Sequence, residues 1–440
     1  MLIEGWLDRA AVQAPDRTAL QTPELSWSYA QLTALARLGA QRLAERGVLP
    51  GDRVALALAP GADFVQALHS CLLLGAVAVP VDLRLAAGEQ ERIAAGAAAI
   101  IDEPLGTDGG WAWPAVRHDL DAPALIVHTS GTTSAPRPVT LTYGNLLWSA
   151  LGSGVALGVH PDDRWLCAMP LSHVGGLSIL VRSAIYATTA EVHERFDTDR
   201  VLEALRSGRV SLVSLVATTL ARLLDGGLTR PPGLRCALTG GGPVPAALIA
   251  RSHQAGVPVA LTYGLTETCS QVSTTPLAEL GGAPAGAGPP LFCTRVALAG
   301  DGEILVSGPT VSPSAQLTDG RLATGDLGRI DERGRLWVTG RKADTIISGG
   351  ENVAPAEVEA VLEAHPGVLE AAVIGRADER WGERVSALVV ARDGWRVDED
   401  QLLEHCRRSL APYKVPREIM RSERPLPRTA SGKLLRRELA

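Results

Sequence analysis

The chain is poor in aromatic residues, 4% in all, and holds only six cysteines in 440 residues. Cys71, Cys167, Cys236, Cys269, Cys293 and Cys406 lie far apart, with no CxxC pair and no Cys/His cluster. That spacing indicates neither a zinc site nor a disulfide framework, and a reducing, cytoplasmic setting is the simplest reading. An excess of positive charge is also missing. The net charge is −6, with both signs spread along the chain, which argues against a nucleic-acid binder with a basic face. The longest apolar stretch, Val65 to Leu83, is interrupted by His69, Ser70, Gly75, Pro80 and Asp82. It therefore reads as a buried helix followed by a strand, and no membrane anchor is expected. The N-terminus has early acids and lacks the basic-then-apolar order of a signal peptide. The scarcity of aromatics beside abundant Ala and Gly is a habit of composition and carries no function.

What is present is a globular composition, 46% hydrophobic and 20% charged. The length exceeds one ordinary core and calls for at least two domains. The first part alternates strands and helices. Strands are expected at 53–59, 76–82, 124–130 and 164–170, a helix over 63–75, and a strand running into a helix over 210–226. Strand, glycine turn and helix follow over 234–256, then a strand ending in a loop over 257–267. This order predicts an α/β fold with layered, mostly parallel sheets and ligands at strand carboxyl ends. Beyond about residue 290 hairpin strands appear, with "DERG" as a turn. Pro355 starts an amphipathic helix with Val358, Val361 and Leu362 on one face. The last 70 residues predict a small α+β unit, and the domain boundary is placed at Arg341, giving 1–340 and 341–440.

The stretch "HTSGTTSAPR", residues 128–137, gathers five hydroxyl side chains and a glycine behind a buried strand. Such a loop suits phosphate, since small side chains let backbone N–H groups approach an anion and Arg137 adds charge. It does not fit the Walker pattern, and a flexible Ser/Thr-rich surface loop has the same composition. Four further motifs accompany it: "YGLTETCS" (263–270), "ATGDLGRI" (323–330) with Asp326 in an expected tight turn, "GRKADTIISGGENVAPAEVE" (340–359), and "PRTASGKLLRREL" (427–439).

The order and spacing of these five motifs resemble the adenylate-forming acyl-CoA ligase superfamily over nearly the whole chain. The resemblance implies ATP, Mg²⁺ and coenzyme A as co-substrates, and a small mobile C-terminal domain. It implies that Thr129, Ser130, Gly131, Thr132, Thr133 and Arg137 hold the pyrophosphate end of ATP. Gly241 and Gly242 would admit the nucleotide backbone contact, with Tyr263, Gly264 and Thr266 against the adenine side and Asp326 on the ribose. Arg341 would touch the nucleotide, Glu267 would hold the metal, and Lys433 would supply catalytic charge. Ala343 would be the pivot, and Gly349 and Gly350 in "SGGEN" would line the pantetheine channel. The chain departs from the family pattern at Ser134, where glycine is usual, and at Arg137, where lysine is usual. Arg137 keeps the charge.

The acid is addressed by "MPLSHVGGLSILVRSAIY" (169–186). His173 sits where the superfamily guards the acyl pocket, and Arg182 follows nine positions later. This pattern resembles the o-succinylbenzoate–CoA ligases of menaquinone biosynthesis. An aromatic acid with a second carboxylate needs a cation, and Arg182 suits it; the alternative is an Arg on a solvated helix face. Three other readings stay open: another aryl- or acyl-CoA ligase, a stand-alone adenylation enzyme loading a carrier protein, and a non-catalytic nucleotide-binding relative. A homodimer is common among such enzymes, although the residues carry no interface signature.

Overall fold

The computed structural model describes residues 1–109, 113, 116–129, 137–281, 286–428 and 434–439. Two sheets enclose the main core. The first has eight strands in the order Ser273–Thr274, Val259–Tyr263, Cys236–Thr239, Leu212–Leu215, Arg164–Cys167, Thr189–Val192, Thr18–Gln21 and Ser26–Ser28. Its inner pairs are parallel and its two outermost pairs antiparallel. The second has five strands in the order Ala99–Ile101, Arg53–Leu56, Val77–Pro80, Pro123–Thr129 and Arg137–Thr142. Only the last pair is antiparallel.

Helices Tyr29–Glu45, Ala62–Leu74, Tyr143–Leu157 and Val174–Tyr186 contribute to the same core as both sheets, through residues such as Leu20, Leu43, Leu56, Leu68, Leu125, Leu146 and Ile179. Helix Ala62–Leu74 is buried from Phe64 to Leu74, as its nearly continuous apolar run requires. Helix Val174–Tyr186 is buried from Gly176 to Ile185, and this buried run includes Arg182. No helix among the described residues is long and apolar enough to cross a membrane.

The expected hairpins form a four-stranded antiparallel sheet, Arg295–Leu298, Glu303–Ser307, Leu322–Ile330 and Leu336–Arg341. After it comes a small unit with its own core, including Val358, Leu362, Val373, Val385 and Leu402. Its long strands Val368–Asp378 and Gly382–Ala391 pair antiparallel, with helices Pro355–Glu363 and Glu399–Ser409 packed beside them. The α/β reading with a small α+β unit is borne out. All six cysteines are free, and five are buried.

Candidate active site

Three of the sequence motifs converge on one carboxylate. Asp326 accepts a hydrogen bond from the Tyr263 hydroxyl at 2.8 Å, and Arg341 Nε lies 2.9 Å from its other oxygen. Asp326 does not sit in the expected tight turn. It lies within the nine-residue strand Leu322–Ile330, directly across from Arg341 in the register. Gly325, with φ near +70°, kinks that strand just before it, and this glycine-aspartate pair is what imitates a turn in the sequence. The Asp326 side chain is 7% exposed and the Arg341 side chain 45%. The acid is therefore fixed while the cation keeps access to solvent. Burial and the Asp326 anion push the Tyr263 phenol well above its ordinary range, so Tyr263 stays a neutral donor. A carboxylate has about four acceptor positions, leaving Asp326 able to accept from two more hydroxyls.

The turn after strand Val259–Tyr263 is tightly built. A side-chain carbon on Gly264 would fall 1.5 Å from the Ser270 carbonyl oxygen, so only glycine fits. Glycine is thus needed here for backbone approach within the protein, in addition to any ligand. Thr266 and Glu267 lie on the short 3₁₀ turn Thr266–Thr268. Cys269 and Ser270 follow with φ of 54° and 93°, values costly for residues with side chains. The Glu267 carbonyl accepts from Ser312 N at 2.7 Å, which ties the turn to the segment leading into the short turn Pro313–Ala315. No cluster of three or more metal-ligating side chains exists among the described residues. A single half-buried carboxylate such as Glu267 suits Mg²⁺, an ion usually held by one or two carboxylates beside phosphate oxygens.

Gly241 and Gly242 follow strand Cys236–Thr239. Gly241 takes φ near +80°, and a side chain on Gly242 would meet nothing within 4 Å, so open space faces this turn. Thr129 and Arg137 end and begin the two strands framing the polar loop and pair in register. Ser130, Gly131, Thr132, Thr133 and Ser134 lie outside the described residues, as does Lys433.

Arg182 is 2% exposed, which removes the solvated-helix alternative. Its Nη2 donates to Ser149 Oγ at 3.0 Å, and its guanidinium carbon lies 5.7 Å from the Trp165 ring centroid. Its Nε has no hydrogen-bond partner, and among the described residues it forms no ion pair with a carboxylate. Burial lowers its affinity for the proton. Ser149 in turn donates to the Cys269 carbonyl at 2.6 Å, which links Arg182 to the turn carrying Glu267. His173 caps the start of the same helix, with Nε2 3.9 Å from Asp82 Oδ2. Gly349 and Gly350 form the turn joining strands Ile346–Ser348 and Glu351–Val353.

Sequence reasoning missed two supporting groups. Ser149 and Trp165 come from distant segments, and no local signal marks them. Glu359 and Glu370 grip the arginines on either side of residues 429–433: Arg436 reaches Glu359 at 2.7 and 2.8 Å, and Arg428 reaches Glu370 at 2.8 Å. Arg428 and Leu434 also form a bridge. Glu359 and Glu363 stand at i and i+4 on one helix, a spacing unfavourable for like charges.

The AMP-binding enzyme model matches residues 7–314, and the AMP-binding enzyme C-terminal domain model matches residues 357–433. The chain is 40% identical to a 2-succinylbenzoate–CoA ligase of Geobacillus kaustophilus and 37% identical to one of Bacillus subtilis, covering 99% of this chain and 97% of each relative. Its fold superimposes on o-succinylbenzoate CoA synthetase from Bacillus subtilis in complex with the acyl-adenylate intermediate, with a TM-score of 0.91 at 36% identity over 100% of this chain and 98% of that one. A double mutant of that enzyme bound to a product analogue gives 0.74 over the same coverage. On this full-length agreement, the chain belongs to the AMP-binding enzyme family.

Proposed function

We propose that this protein joins o-succinylbenzoate to coenzyme A at the expense of ATP. A substrate carboxylate oxygen attacks the α-phosphorus and pyrophosphate leaves. The thiol of coenzyme A then attacks the acyl carbonyl and AMP leaves, giving o-succinylbenzoyl-CoA. The observation that carries the choice of acid is Arg182, a buried guanidinium with no carboxylate partner among the described residues. A buried charge without a counter-ion is costly. A substrate with a second, non-reacting carboxylate supplies that counter-ion, which a simple fatty acid does not. Full-length similarity to 2-succinylbenzoate–CoA ligases supports the same acid.

In this reading Asp326 holds the ribose hydroxyls, Tyr263 packs on the base, and Arg341 stays beside the nucleotide. Gly241 and Gly242 leave room for it, and Gly264 and Thr266 shape its rim. Thr129 to Thr133 and Arg137 cradle the phosphates. Glu267 holds Mg²⁺, which neutralises phosphate charge when bound. Lys433 offsets the repulsion between the attacking carboxylate and the α-phosphate. His173 borders the acyl group, and Gly349 and Gly350 flank the pantetheine arm.

We place a hinge at Ala343, between units 1–340 and 341–440, that exchanges Lys433 for the "SGGEN" turn between the two steps. The higher score against the adenylate-bound relative than against the product-analogue form supports two arrangements. Six free cysteines suit a reducing cytoplasm. The assembly we expect is a homodimer, with a sedimentation mass near twice 46.1 kDa.

The test is pyrophosphate release with Mg·ATP and a panel of o-succinylbenzoate, benzoate, 4-chlorobenzoate, a medium-chain fatty acid and an amino acid, for the wild type and Arg182→Met. A response confined to o-succinylbenzoate, with its KM raised in the variant, is expected. An equal response to benzoate, or an unchanged KM in the variant, refutes the assignment of the acid.

A further inference from the structure

The second site lies outside the one just described. The five-stranded sheet turns one face to the main core. Helix Ala87–Ala94 covers part of the other face. The uncovered part is a cleft of about 300 Å³, the lower end of the range for small-molecule sites. Its floor is apolar, with Val79, Ile93 and Ile126 at 3–6% exposure. Its rim is cationic. Arg53 and Arg92 are exposed and form no ion pair with a carboxylate among the described residues, and no acidic residue lines the cleft. His128 also lines it, and the His128 Nδ1 is buried without a hydrogen-bond partner.

We propose that this cleft binds a small amphipathic anion, with an aromatic or short aliphatic body on the floor and a single carboxylate or sulfonate between Arg53 and Arg92. Each part of the cleft has a reason to favour such a molecule. The apolar floor gains from being removed from water. Two guanidinium groups lacking acids give charge-assisted hydrogen bonds. A neutral ligand leaves the rim unused, and a polyanion leaves the floor wet. The site is joined to the catalytic region by chain continuity, since His128 pairs with Pro138 in the two strands that frame the polar loop.

The test uses the full-length protein and the fluorescence of 1-anilinonaphthalene-8-sulfonate as the probe. Its neutral counterpart N-phenyl-1-naphthylamine has the same apolar body without the sulfonate. The expected result is saturable binding of the sulfonate, at least tenfold weaker in Arg53→Ala/Arg92→Ala and at least tenfold weaker for the neutral compound on the wild type. Ala97→Phe, which fills the cleft from its apolar side, should abolish the same binding. Because Arg53 and Arg92 are exposed, their replacement leaves the fold and pyrophosphate release unchanged. Equal affinity of the sulfonate for the wild type and both variants places the probe elsewhere and overturns the proposal. Equal affinity of the two compounds for the wild type overturns the anionic part of it.

Discussion

Glu363 offers the sharpest test of the C-terminal unit. It lies on helix Pro355–Glu363, where its carboxylate accepts, among the described residues, only a long hydrogen bond, 3.4 Å, from Ala371 N. Burial pushes its carboxyl from the ordinary 4.5 up to about 7, with Glu359 and Glu370 adding repulsion and Arg428 opposing it. Folded protein therefore holds this proton more tightly than unfolded protein. Below pH 4.5 both states are protonated and the group changes nothing. As pH rises from 4.5 through 7, the folded state is progressively penalised, and above that range the full penalty applies. At about 1.4 kcal/mol per unit, the penalty amounts to about 3 kcal/mol. Glu363→Gln keeps an acceptor for Ala371 and removes the titration. Hydrogen exchange of strand Val368–Asp378, corrected for intrinsic rates, reads the local opening free energy. In the wild type this should fall by about 2.5 kcal/mol between pH 5 and pH 8. In the variant it should stay nearly level, leaving the variant the more stable form at pH 8. Parallel profiles for the two proteins would refute the reasoning.

Two other perturbations bear on the site. Asp326→Asn weakens the pair with Arg341, so the KM for ATP should rise at least tenfold while the KM for the acid moves little; steady-state kinetics with each substrate varied separates the two. Gly264→Ala drives a methyl group into the Ser270 carbonyl and should destabilise the protein by about 3 kcal/mol or more, the scale of severe overpacking. A melting temperature within a degree of the wild type would contradict the turn described for residues 264–270.

Much of this was legible from the chain. Alternating strands and helices, the hairpins after residue 290 and the helix at Pro355 follow from local pattern, and the structure has them. Tyr263, Asp326 and Arg341 were singled out by motif, and they meet. The strand around Asp326 was not legible, because Gly325 and Asp326 are common turn residues and only cross-strand pairing with Arg341 shows otherwise. The depth of Arg182 was hidden for a different reason. A single arginine in "GGLSILVRSAIY" fits a solvated stripe as well as a buried one until helices Trp6–Gln13 and Tyr143–Leu157 and the first sheet pack around it. Ser149, Trp165 and the carboxylates around Arg428 and Arg436 are tertiary partners, brought together across 17 to 77 residues of sequence separation. The outer cleft depends on how much of a sheet one short helix covers, which no local pattern encodes.

In the function proposed above, Arg182 also sets stability against selectivity. A fully desolvated guanidinium satisfied by one serine and an indole face makes the free enzyme less stable than an apolar side chain of the same volume would. A methionine there should give a hardier protein with a more permissive pocket, as stability gained at a binding site often costs function. Selection at such a site works by withheld compensation: an acid of the right shape without the second charge enters and leaves the cation unpaired. The width of the pocket then matters less than this unmet demand, and redesign toward neutral acids would begin with Arg182 and Ser149 together.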